Sequence, residues 1–131
     1  MDRICYKVVS CQNSEFHSAM YSDLPHEYSL KYEFGVKTIP KIGKIFVFDT
    51  LEHAGKFVEE HNGYLAIFSG LATDVGRPKN LCYWYDTFDI FKRFWECKQH
   101  KKKLKVELRE SPKGTLSCSS FTPHTLVQKG L

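Results

Sequence analysis

The sequence predicts an α+β fold: a small single domain with a mainly antiparallel sheet and two helices. Three observations predict it. Several short runs alternate apolar and polar residues, as half-buried strands do. Two stretches repeat apolar residues at helical spacing. Most connections are too short for the crossovers that parallel strands require. The chain has 131 residues, near the usual length of one domain and enough for one core. Residues 1–123 are read as the domain and 124–131 as a short C-terminal tail.

The elements follow in order. "ICYKVV", Ile4 to Val9, is β-branched and apolar and reads as a first strand. "SDLPHE" is a turn. "EYSLKYEFG" alternates, with Tyr28, Leu30, Tyr32 and Phe34 on one face, and stops at Gly35. "TIPKIGKIFVFDTLEHAGKF", residues 38 to 57, reads as a loop, a strand and a capped helix. Ile39 before Pro40 is extended, "KIFVF" is the strand, and Asp49 is the expected helix cap, with Glu52 completing a capping box. Leu51, Ala54, Phe57, Val58 and His61 share one helical face, and Asn62-Gly63 ends the helix. "YLAIFSG" is another strand and "LATDVGRPKN" a loop. Trp84, Phe88, Phe91 and Trp95 share one face of a second helix that begins between Trp84 and Phe88. A strand around Leu104, Val106 and Leu108, the turn "SPKG" and a last strand "TLSCSSF" complete the sheet.

The same stretch raises the question of a phosphate loop. In that motif the glycine loop follows the strand, whereas "KIGK" precedes it here. Asp49 would also occupy the positive helix end that a phosphate needs. The stretch is scaffold with a basic loop in front of it.

Composition narrows the function classes. Apolar residues make up 42%, charged residues 26% and aromatics 15%, with net charge +4. This is an ordinary globule with a surplus of rings and a mild basic excess that suits a polyanionic partner. Five cysteines and no C-x-x-C pair argue against a disulfide framework or zinc ribbon, so free thiols in a reducing compartment are expected. The N-terminus has no signal-peptide pattern, and no apolar run approaches membrane-helix length. A cytoplasmic location is therefore expected.

Catalytic patterns are sparse. The six histidines form no H-x-x-x-H or H-E-x-x-H, so no metal site is expected. Ser18, Ser69 and Ser117 lack a nucleophile elbow. Cys5, Cys82 and Cys118 are possible nucleophiles in principle, but nothing marks an activated thiol. No catalytic residue and no cofactor is assigned.

Three groups of basic residues stand out: Lys37, Lys41 and Lys44; Arg77 and Lys79; and Lys98, Lys101, Lys102, Lys103 and Lys105, with Lys92 and Arg93 just upstream. A polyanion would be held there through phosphate contacts. The competing reading of the last group is a solvated helix end, where cations are favoured anyway. Tyr83 and Tyr85 adjoin the second group. Rings interleaved with bases suit RNA, whose bases stack, although a core role for this aromatic stretch is the alternative. DNA is not an expected partner.

Three segments carry a resemblance. "YKVV", "LKYEFGVKTIPKIGKIFVFDTLEHAGKF" and "PKGTLSCSSFTP" resemble a family of small single-domain proteins found in phages, bacteria and some eukaryotes. Its recurring text is P-K-I-G-K-x-F-V-F-D-[ST]-L-E-x-A with a terminal P-x-G-T strand. The match covers about a third of the chain and leaves Leu71 to Lys105 unmatched. In size, mild basicity and aromatic-basic middle, the chain is similar to the ribosome dormancy (hibernation) factors known in microsporidia. That similarity implies a non-enzymatic, rRNA-binding protein that contacts both ribosomal subunits, occupies the tRNA exit site and inhibits translation sterically. The resemblance supplies no catalytic positions. The alternative function is a small nucleotide-binding or nucleotide-processing protein. A protein-interaction adaptor with an exposed aromatic face is the third reading.

Overall fold

A computed structural model describes residues 2–12, 15–18, 30–40, 44–61, 65–77, 80–81, 109–110 and 113–128. In chain order the elements are β1 (Arg3–Gln12), β2 (Glu15–Ser18), β3 (Lys31–Tyr32), β4 (Ile45–Phe48), α1 (Leu51–Glu60), β5 (Leu65–Thr73), β6 (Asn80–Leu81), β7 (Arg109–Glu110), β8 (Thr115–Cys118) and β9 (Ser120–Gln128).

The expected two-helix α+β fold is corrected. Among the described residues there are nine strands and one helix, and every named strand pair is antiparallel. The stretch assigned to a second helix, from Trp84 onward, lies outside the described residues.

The reason sheet dominates is that it closes on itself. β1 pairs with β5 along Arg3 to Ser10, β5 with β9, and β4 with β8 and with β1. Only Ser119 separates β8 from β9, so the pairings run β1–β5–β9/β8–β4–β1. A second closure joins the β3 turn to β9: Gly35 N–H donates to the Pro123 carbonyl at 2.7 Å, and Thr38 pairs with Phe121. A rolled sheet fills its own interior and needs a helix only on its outer face.

The side chains sort accordingly. Cys5, Val9, Tyr32, Ile45, Val47, Ala66, Phe68, Ala72, Leu116, Cys118 and Phe121 form one buried cluster inside the closure. Phe68 is its centre, met edge-on by Phe16 at 4.8 Å and Phe34 at 5.0 Å between centroids. The other face of the same strands supplies Val8, Phe48, Leu65 and Ile67, which cover Ala54 and Phe57 of α1. The period-two alternation of β1, β4 and β5 therefore separates two cores. Gly70 on β5 permits the tight crossing of β9: a Cβ there would strike the Thr122 carbonyl and the Phe121 ring, beside a register shift between Ser69 and Gly70.

Local expectations change as well; Leu71 to Thr73, expected in a loop, extend β5, and "EYSLKYEFG" is strand at Lys31–Tyr32 among the described residues. The helix cap is Thr50, not Asp49: the Thr50 hydroxyl accepts from the His53 N–H at 3.2 Å. Leu51, placed on the apolar face, is 42% exposed, because the buried stripe of α1 runs through Ala54 and Phe57. Residues from His124 to Gln128, expected as a tail, belong to β9, where Thr125, Leu126 and Gln128 pair with Ser69, Phe68 and Ile67.

Candidate functional site

Of the basic residues singled out in the sequence, Lys37, Lys44 and Arg77 are described, and all three are exposed. Each lies next to a residue paired with the β8–β9 run. Thr38 bridges Phe121, Ile45 pairs with Cys118, and Gly76 bridges Ser117. Lys37 and Lys44 therefore follow one edge of that run, on either side of the loop that holds Lys41. Arg77 follows the other edge. Lys41, Lys79, Tyr83, Tyr85, Lys92, Arg93, Lys98, Lys101, Lys102, Lys103 and Lys105 lie outside the described residues.

The Lys37 edge also carries apolar surface. Phe34 is 55% exposed, Val36 50% and Ile39 67%. The chain turns at Gly35 (φ 71°), a left-handed conformation that glycine adopts without a Cβ clash. Thr38, between Val36 and Ile39, is buried, its hydroxyl donating to the Lys31 carbonyl at 3.0 Å. The adjacent acid, Glu33, is engaged by Lys31 at 3.2 Å, and Lys31 also reaches Glu15 at 3.2 Å. The described residues from Phe34 to Lys44 thus present the Phe34 ring, the Val36 and Ile39 side chains and the Lys37 and Lys44 cations, with the neighbouring carboxylate already paired.

Arg77 belongs to a different corner. Asp49 Oδ1 and His53 Nδ1 are 2.6 Å apart across one helical turn. Asp49 N–H donates to the Gly114 carbonyl at 2.9 Å. Gly114 has φ +84°, and a Cβ on it would collide with both His53 Nδ1 and Asp49 Oδ1. Burial acts to raise the Asp49 carboxyl. The His53 ring, the Thr50 backbone N–H and the Arg77 charge outweigh it and bring the carboxyl below its ordinary range. The corner therefore joins the "FDTLEH" and "PKGT" segments, whose distance in sequence hid their contact. A carboxylate i, i+4 from a histidine was visible in the sequence as a spacing, but a capping role for Asp49 was the simpler reading.

Sequence reasoning also passed over Lys7. It alternates with Cys5 and Val9 and so shares their inward face. Its Nζ donates to the Phe46 carbonyl at 2.8 Å and stands 5.8 Å from the centroid of the Tyr32 ring. Burial lowers the Lys7 ammonium to about 8, partly offset by Cys118. Burial raises Cys118 to about 12 and also raises Cys5. Cys5, Cys11 and Cys118 are free thiols.

Among the described residues no group of three or more histidine, cysteine or acidic side chains is placed to hold a metal. None of the described helices is long and apolar enough to cross a membrane. No protein-family model, curated protein or solved structure matches the chain, so the family resemblance rests on its motif residues alone.

Proposed function

We propose that the protein is a non-catalytic ribosome-binding module of the dormancy type, acting in the cytoplasm. It occupies the space of exit-site tRNA and halts translation by obstruction. The observation that carries this reading is the edge from Phe34 to Lys44. Phe34, Val36 and Ile39 are exposed beside Lys37 and Lys44, and Lys31 neutralises the nearby Glu33. An exposed ring offers a stacking surface for an unpaired base, and the lysines supply phosphate contacts. The closed sheet behind it anchors Thr38, which is bonded to Phe121 in both directions, at 2.8 and 3.0 Å.

The test is binding of the full chain to purified ribosomes over a range of salt. Wild type should bind at low salt and weaken as salt rises, because phosphate contacts release counterions. Phe34→Ala with Lys37→Ala and Lys44→Ala should weaken binding and flatten the salt dependence by about 1–2 in log–log slope, on the scale of ~0.7–0.9 per phosphate contact. Unchanged binding by this variant would remove the edge from the interface. A nucleotide that raises the melting temperature of a chain that ignores ribosomes would replace the reading with nucleotide binding.

A further inference from the structure

Given the RNA-binding reading of the edge from Phe34 to Lys44, on which this rests, we infer that Lys31 is its charge gate: Lys31 masks two carboxylates, Glu15 and Glu33, that would otherwise repel a phosphate backbone there.

The need for a mask follows from strand register. β2 and β3 pair Phe16 with Tyr32 and His17 with Lys31. One step further in the same register, Glu15 comes opposite Glu33. Both are exposed, and like charges directly opposite on neighbouring strands repel. Tyr32 is in the inner core and Phe16 packs against it, so by alternation Glu15, His17, Lys31 and Glu33 share the outer face. There the Lys31 ammonium lies 3.2 Å from Glu15 Oε1 and 3.2 Å from Glu33 Oε1. His17 Nε2 meets the other Glu15 oxygen at 3.0 Å. Lys31 thus bridges the two acids across the strand pair.

The same residue is joined to the edge. Its carbonyl accepts from the Thr38 hydroxyl at 3.0 Å, and Thr38 adjoins Lys37. The Val36 N–H donates to the Glu33 carbonyl at 3.1 Å, so Glu33 opens the turn that carries Phe34. The acids therefore stand beside the ring and the cation that face RNA. The Glu15 carboxyl is held below its ordinary range by His17 and then Lys31, and the Lys31 ammonium above its own by Glu15 and then Glu33. Both keep their charge at neutral pH.

Exposed ion pairs of this kind add little to stability. Their effect on a polyanion is larger, because the field of an unmasked carboxylate reaches about one Debye length, ~10 Å at 0.1 M salt. The three lysines of this surface, Lys31, Lys37 and Lys44, outnumber Glu15 and Glu33 by one. Without the Lys31 charge that excess is gone.

The test is binding of the full chain at ~0.1 M salt to a labelled single-stranded oligouridylate, by fluorescence anisotropy, and to purified ribosomes, by sedimentation. Lys31→Gln should weaken binding about fivefold in both assays, and Lys31→Arg should bind as wild type does. Adding Glu15→Gln and Glu33→Gln to Lys31→Gln should restore binding to the wild-type level or above. The triple variant still lacks every ion pair of Lys31, so a merely structural loss would persist in it. Wild-type binding by Lys31→Gln would overturn the inference. A triple variant as weak as Lys31→Gln would also overturn it, by making Lys31 a direct phosphate contact or a brace. Wild type that binds the oligonucleotide but not ribosomes would overturn the ribosome reading alone, and the variants then decide the gate on the oligonucleotide. Wild type that binds only ribosomes leaves the variants to decide it there, and wild type that binds neither would overturn both.

Discussion

Replacing Lys7 with methionine should change the sign of its effect with pH. Burial lowers the Lys7 ammonium from 10.5 to about 8 in the folded protein. The folded state therefore binds fewer protons than the unfolded chain between pH 8 and 10.5, and stability contributed by Lys7 rises with pH across that window. Below pH 8 both states carry the proton, and the folded state bears the whole penalty, about 3 kcal/mol for a shift of this size. Methionine removes the buried charge in a side chain of similar length. It also leaves the Phe46 carbonyl without its 2.8 Å donor, a loss of about 1 kcal/mol. The variant should then be more stable than wild type by about 2 kcal/mol at pH 7 and less stable by about 1 kcal/mol near pH 11. The assay is urea unfolding followed by circular dichroism at several pH values. Cys5 and Cys118, both raised by burial, act oppositely: their contribution is lost as pH rises above the unfolded thiol value. The difference between wild type and variant cancels them to first order, and pH 8 to 9 is the cleanest window. A difference that stays constant from pH 7 to 10.5 would refute the reasoning.

Other perturbations test the packing and the Asp49 corner. Phe68→Ala removes the ring on which Phe16 and Phe34 converge and should destabilise by about 3–5 kcal/mol in the same unfolding assay. Gly114→Ala places a Cβ against His53 and Asp49 at positive φ and should destabilise by about 1–3 kcal/mol, measured by thermal melting. Asp49→Asn loses the charged partner of His53, with an expected loss of about 1–2 kcal/mol at pH 7. Because the Asp49 carboxyl is lowered, its stabilisation is present above the unfolded value and is lost as pH falls through the folded one. The stability of Asp49→Asn should accordingly depend less on pH below pH 4 than that of wild type.

What could be read from the sequence was local. β1, β4, α1 and the start of β5 follow from periodicity, since alternation and helical spacing are properties of neighbouring residues. The closure of the sheet is not local. It depends on Phe121 meeting Thr38 and on β9 crossing at Gly70, contacts between distant segments that no short window contains. His124 to Gln128 resembled a tail because Pro123 and polar residues dominate there. They form a strand because β5 offers a free edge. Lys7 drew no attention in "YKVV" because lysine is seldom buried. Its inward position follows from Cys5 and Val9 only once the inner face is known. Asp49 and Thr50 are both good caps, and the choice between them turned on His53 taking the carboxylate. Lys37 and Lys44 were legible as part of a basic group, while Phe34 was read as part of a strand's apolar face. The exposure of Phe34 was not legible, because it sits in phase with buried Tyr32.

Sedimentation of the native protein with whole ribosomes from quiescent cells tests the central claim most directly. Ribosome-rich lysate is run through a sucrose gradient at low and then at moderate salt. The account predicts comigration with intact ribosomes at low salt and release into the top fractions at moderate salt, with the Phe34, Lys37 and Lys44 variant released earlier. Recovery only at the top of the gradient at both salts would contradict it.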